Sequence, residues 1–168
     1  MYQSILVPID GSDNAQKALE IACKIAASAQ STIYLLNVPE LPPATDALGK
    51  AVGAPALDAS SGEAIQSGLE LIEQTKQAEQ SGRNLIERIR NASGLTNIVL
   101  ETVVKTGSPA EVILDQAAEL GVEAIVMGSR GMSDWKGLVI GSVSHKVMHT
   151  ANCAVILVKD GKAGPAEA

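Results

Sequence analysis

Five short aliphatic runs constrain this chain more than any other feature. They are Ile5-Leu6-Val7-Pro8-Ile9, Ile33 to Val38, Ile98 to Val104, Ala124 to Met127 and Ala154 to Val158. Each is short and bounded by turn residues, so each reads as a strand buried on both faces. Between them, apolar residues recur at helical spacing. Ala15, Ala18, Leu19, Ala22, Ile25, Ala26 and Ala29 follow an N-cap at Ser12 or Asp13 and predict a helix of about four turns. Strand, helix and strand in succession make a parallel pair joined by a right-handed crossover. Repeated along the chain, the pattern predicts an α/β fold with a five-stranded, doubly wound parallel sheet and helices on both faces. Aromatics are only 2% of the residues and Phe is absent, so the core must be Ile, Leu, Val and Ala.

At 168 residues the chain makes one domain, expected over 1–160, which buries roughly 70% of its unfolded surface without a metal or disulfide staple. The segment 39–62 carries Pro39, Pro42, Pro43 and Pro55 and keeps no period; it reads as a mobile surface insertion. A polar-rich helix is expected over 63–91, with Ile65, Leu69, Ile72, Leu85, Ile86 and Ile89 as its apolar stripe. Gly68 and Gly82 each weaken that helix by roughly 1 kcal/mol relative to Ala, which invites a bend or fraying. The third strand has mixed polarity and belongs near a sheet edge. Ser108-Pro109-Ala110-Glu111 opens the next helix with an N-cap and a first-position proline, and Gly121 stops it. The last helix runs from Gly141 to about Thr150, with Val143, Val147 and Met148 inward. The tail from Asp160 to Ala168 is expected to fray.

Formal net charge is −6, which disfavours non-specific attraction to DNA or an anionic membrane. Aromatic platforms for stacked bases are lacking, so no nucleic-acid partner is expected. No stretch reaches 18 apolar residues, so no membrane insertion is expected. Met1-Tyr2-Gln3-Ser4 lacks the basic region of a secretory leader. Cys23 and Cys153 have no metal-type spacing and read as reduced thiols of a cytoplasmic protein.

In sheets of this kind, ligands bind beyond the carboxyl ends of the strands, where strand order reverses. Strand one ends in Pro8-Ile9-Asp10, strand two in Asn37-Val38-Pro39 and strand four in Met127-Gly128-Ser129-Arg130-Gly131. After strand four come nine residues and then Gly141-Ser142-Val143-Ser144. Glycines allow close backbone approach and positive φ, and successive amides there form an anion-binding concavity. Ser142 and Ser144 open a helix whose amino end favours phosphate, and Arg130 could add a cation. On the residues alone, a plain strand-to-helix turn explains the glycines as well. Asp10 likewise reads as a turn former or as a ligand group. Neither a GxxxxGK[ST] nor a GxGxxG signature is present.

The pattern Gly-x2-Gly-x9-Gly-Ser, at Gly128, Gly131, Gly141 and Ser142, resembles the ATP-binding signature of the universal stress protein family. So do the opening Ile5 to Ser12 and the ending Ala154 to Val158. The resemblance spans nearly the whole chain, apart from the segment 39–62. It implies sheet order 3-2-1-4-5, an adenine nucleotide alpha hydrolase-like, Rossmann-like sandwich with ATP between strands one and four. It implies that Pro8 borders the site and that Asp10 works at the ribose or a bound metal. Val38 would meet adenine through its backbone, and Met127 and Gly128 would line the nucleoside pocket. Arg130, Gly131, Gly141, Ser142, Val143 and Ser144 would wrap the phosphates. Magnesium would arrive with ATP, near Asp10 or Ser142. The resemblance also implies a homodimer through the last strand, Ala154 to Val158, and a cytoplasmic, nucleotide-dependent stress-response regulator read by a protein partner.

Rival readings follow from the same residues. An ATPase or adenylyl-transfer enzyme needs a positioned nucleophile and transition-state stabilisation. The sequence offers no convincing general base beside the expected γ-phosphate, so at most weak hydrolysis is expected and no catalytic residue is assigned. A structural dimer that binds no nucleotide is the third reading. His145 and His149 lie four apart, a zinc-compatible spacing, but HKVMH is not HEXXH and a further ligand is needed, so they read as surface histidines. Trp135 reads as a shield for an apolar edge and Lys136 as a solvated lysine.

Overall fold

The computed structural model describes residues 2–26, 31–39, 62–93, 98–131 and 140–159. In chain order the elements are β1 (Ser4–Pro8), α1 (Asp13–Ile25), β2 (Thr32–Asn37), α2 (Gly62–Ser93), β3 (Val99–Val104), α3 (Pro109–Glu119), β4 (Ala124–Gly128), α4 (Ser142–Thr150) and β5 (Ala154–Val158). The strands form one sheet in the order β3-β2-β1-β4-β5, and every pairing is parallel. Residues 40–61, Ala29, Trp135, Lys136 and the tail from Asp160 lie outside the described residues.

Alternation along the strands feeds two cores. Ile5, Val7, Ile33 and Leu35 pack on one face with Ala15, Ala18, Leu19 and Ala22 of α1 and Ile86 of α2. Leu6, Leu36, Ile125 and Met127 pack on the other with Ala110, Ile113 and Ala117 of α3 and Val147 of α4. Small Ala side chains let the helices sit close to a sheet of larger β-branched and Leu residues. β3 is a sheet edge and keeps the mixed exposure expected of it.

The sheet opens where strand order reverses. β1 pairs with β2 along its full length, Ser4 to Pro8. With β4 it pairs only at Ile5 and Leu6. Residues of a strand point their amide groups alternately to the two neighbours. Ile9 N–H donates to the Leu36 carbonyl of β2 at 2.7 Å. The position before it therefore faces β4, and Pro8 stands there with no N–H to donate. The ladder stops and the two strands part.

Helix boundaries follow local chemistry. The Ser12 hydroxyl accepts the Ala15 amide at 3.2 Å and caps α1. α1 ends at Ile25, short of Ala29, because Ala26 turns extended to bridge Tyr2. Gly121, at φ +59°, ends α3 as expected. In α2 the C-terminal half packs through Leu85, Ile86 and Ile89. Leu69 and Ile72, expected in the same stripe, are 60% and 53% exposed. The helix outruns the sheet: its 32 residues extend about 48 Å, whereas a six-residue strand extends about 20 Å. Gly82 is no weak point either. It is buried against Asn37 and Val104, within an unbroken helix. Met148, expected inward, is 40% exposed on α4.

Candidate functional site

A cavity of about 440 Å³ opens in the gap between β1 and β4. Its lining includes every residue expected at the site: Pro8 and Asp10 after β1, Val38 after β2, Met127, Gly128, Arg130 and Gly131 at β4, and Gly141 to Ser144 at α4. The volume lies in the usual range for a small-molecule pocket, about 300–1,000 Å³.

The amide-rich end is built by α4. Gly141 is its N-cap, with extended backbone and no side-chain cap, and its first turn holds no acidic residue. The Gly141 N–H is committed to the Ser129 carbonyl at 2.8 Å, and the first intrahelical donor is His145, to the Gly141 carbonyl at 2.9 Å. The amides of Ser142, Val143 and Ser144 thus have no carbonyl one turn back within the helix. They carry the positive end of the helix dipole into the cavity. The buried Ser144 hydroxyl donates to the Gly128 carbonyl at 2.9 Å and moors α4 to β4. Its proton is spent on that tie, so the hydroxyl has none left to donate into the cavity.

Gly128 and Gly131 are there for space. None of Gly128, Gly131 and Gly141 is among the positive-φ glycines, so the conformational reason expected for them does not apply. A Cβ on Gly128 would lie 2.8 Å from Asn14 Cβ and 3.0 Å from the Arg130 carbonyl oxygen. One on Gly131 would lie 2.7 Å from Asp10 Oδ2. Asp10 is exposed, and its Oδ1 accepts the Ser12 amide at 2.9 Å. Its carboxylate therefore lies beside both the loop after β1 and the glycine loop after β4.

The sequence profile of the universal stress protein family matches residues 1–159. The chain is 36% identical to Universal stress protein YxiE of Bacillus subtilis (strain 168) over 162 residues, 95% of this chain and all of that one. The chain belongs to the universal stress protein family. Among solved structures, that of protein MJ0577 superposes with TM-score 0.71 at 24% identity, over 97% of this chain and 99% of that one. A universal stress protein family member from Arabidopsis thaliana, solved with AMP bound, superposes with TM-score 0.58 at 19% identity, over 98% of this chain and 97% of that one. Both share the fold of this family member.

Several wall residues of this universal stress protein are not legible as site residues in the sequence. Pro109 and Ile113 come from α3, which the topology brings to the same edge of the sheet. No motif marks them. Asn37 reads in the sequence only as a strand end. It is 95% buried at the cavity floor, where Nδ2 donates to the Ile9 carbonyl at 2.6 Å. Its Oδ1 makes no hydrogen bond and sits against Gly82, whose missing Cβ leaves the room. Asn37 thereby ties the ends of β1 and β2 while α2 closes over it. The apolar wall of Leu36, Val38, Ile113 and Met127 faces the polar end made by Asp10, Arg130 and α4. Such a lining suits a ligand with both apolar and polar parts. No helix among the described residues is long and apolar enough to cross a membrane.

Proposed function

We propose that this chain is a cytoplasmic, ATP-binding regulator of a stress response. Adenosine occupies the apolar end of the cavity, with Val38 offering backbone groups to the base and Asp10 accepting from ribose hydroxyls. Arg130, Gly131 and the amides of Ser142, Val143 and Ser144 hold the triphosphate. Magnesium, carried with ATP, neutralises phosphate charge near Asp10 or Ser142. Gly141 sets the helix entry, Met127 and Gly128 line the nucleoside pocket, and Pro8 keeps the gap open. The observation that carries the reading is an uncapped, acid-free helix start lining a cavity that also has an apolar wall.

Regulation rests on occupancy. A ligand shifts a conformation only by binding one state better than another, and a protein partner then reads that state. The functional unit is a homodimer joined through β5, whose Val155, Ile156 and Leu157 are half-buried at a sheet edge.

The test is calorimetry on folded protein stripped of bound nucleotide, titrated with ATP and magnesium. Saturable heat is expected from the parent and none from Gly131→Val at the same concentrations. Absence of heat from the parent at millimolar ATP would refute the reading. So would unchanged binding in a folded Gly131→Val variant.

A further inference from the structure

We propose that His145 and His149 form a second ligand site, a two-imidazole chelate for one divalent ion of the copper, nickel or zinc class. These two are the chain's complement of histidine, and the fold sets them one helical turn apart. Both are exposed, on the side of α4 opposite the buried Ser144 and Val147. Their ring centroids are 4.5 Å apart with the planes tilted 46°. A turn of helix rises about 5.4 Å, so the rings lean toward one another. A metal–imidazole bond is about 2.0–2.1 Å, which puts two nitrogens on one ion about 3 Å apart. Rings at this separation reach that geometry by side-chain rotation alone.

The surroundings clear the site of competitors. Lys146 stands between the two histidines in sequence, but its Nζ is drawn to Glu111 Oε1 of α3 at 2.9 Å. Cys23 and Cys153 pack against the two cores, and burial raises both thiols, so neither offers a ready thiolate. Among the described residues no group of three or more His, Cys, Asp or Glu side chains gathers. The ion therefore takes two protein ligands and completes its shell with water. Imidazole nitrogens select Cu(II), Ni(II) and Zn(II), with Cu(II) held tightest, and not the oxygen-seeking magnesium that would accompany ATP. The site is thus separate from the cavity in both place and chemistry. Because the chelate needs the helical turn, the ion binds folded protein in preference to the unfolded chain and raises the thermal midpoint.

The test uses the full chain without an affinity tag, Cu(II) as the probe, and the variants His145→Gln, His149→Gln and the double substitution. Both positions are exposed, and circular dichroism verifies that each variant is folded. The parent is expected to take up one Cu(II) per chain at micromolar concentration, with electron paramagnetic resonance showing two imidazole nitrogens. Each single variant should show one nitrogen and bind about a hundredfold more weakly, because the second contact has lost its intramolecular advantage. The double variant should lose the site and the rise in thermal midpoint. The proposal is overturned if the parent takes up no Cu(II), if its spectrum reports fewer than two imidazoles, or if the double variant binds as tightly as the parent. None of these readouts depends on nucleotide, so failure here leaves the ATP reading standing, and the reverse.

Discussion

Two glycines at the end of β4 and just beyond it make different demands, and alanine separates them. At Gly128 a methyl group meets Asn14 Cβ and the Arg130 carbonyl, both fixed parts of the fold. Gly128→Ala should lower stability by about 1–3 kcal/mol, the usual cost of overpacking a filled site. At Gly131, which is exposed, the methyl meets the Asp10 carboxylate, the end of a short exposed side chain. That group can move, so Gly131→Ala should change stability by less than about 0.5 kcal/mol. If the cavity holds ATP as proposed, the same change should weaken its binding about tenfold, the equivalent of one misplaced charge-assisted hydrogen bond at about 1.4 kcal/mol. Denaturant midpoints and calorimetry on the same two proteins check the pair. A Gly131→Ala variant that loses stability instead would mean that the Asp10 contact is structural. The sequence pattern announces that these glycines matter, but only coordinates separate crowding from dihedral freedom, because both select the same residue.

Helix α2 carries the clearest contrast at the scale of an element. A Cβ on Gly68 would have nothing within 4 Å, whereas one on Gly82 would press against Asn37 Oδ1 and lie 3.1 Å from Val104 Cγ1. Gly68→Ala should therefore stabilise by about 0.5–1 kcal/mol through helix propensity. Gly82→Ala should destabilise by about 1–3 kcal/mol despite the same gain in propensity. Urea unfolding of both variants tests the opposite signs. Propensity alone makes the two glycines equivalent weak points, because the partner of Gly82 lies on strand β2, 45 positions away in sequence. The α3–α4 contact makes a third case. Lys146 beside Glu111 holds that carboxyl below its ordinary value of 4.5, with a smaller contribution from Ser108. A lowered folded-state pKa means stability that is present above 4.5 and lost as pH falls through the folded value. Both partners are exposed, so the effect is small. Glu111→Gln should lower the thermal midpoint slightly at pH 7 and leave it unchanged once acid has protonated the parent's carboxyl. A difference that persists in acid would point to packing in place of charge.

For the whole molecule, the legible part is whatever burial on both faces imposes. Runs such as Ile5 to Ile9 read as interior strands because they are short and bounded by turn residues. What escapes is the length of α2 relative to the sheet, which leaves Leu69 and Ile72 uncovered although they continue the stripe. A periodic pattern specifies a face and says nothing of how far the opposing surface extends. The same limit hides Ile113, a core residue by pattern and a cavity wall by topology. β5 is the other edge of the sheet. Ala154 donates its amide to Glu123 at 3.3 Å, and the Val158 carbonyl accepts from Ser129 at 2.7 Å, so positions 154, 156 and 158 face β4. By alternation Val155 and Leu157 turn their amides away from the sheet. Proline at such a position removes an outward donor and spares the β4 ladder. If two copies join through this edge, Val155→Pro should give a folded monomer while the parent sediments at twice the chain mass. Equal sedimentation of parent and variant as dimers would exclude β5 backbone pairing, and a monomeric parent would remove the dimer itself. Edge strands with apolar side chains are pairing hazards that a fold must cover or block. Within β5 itself, Ala-Val-Ile-Leu-Val, no charge or proline blocks such pairing.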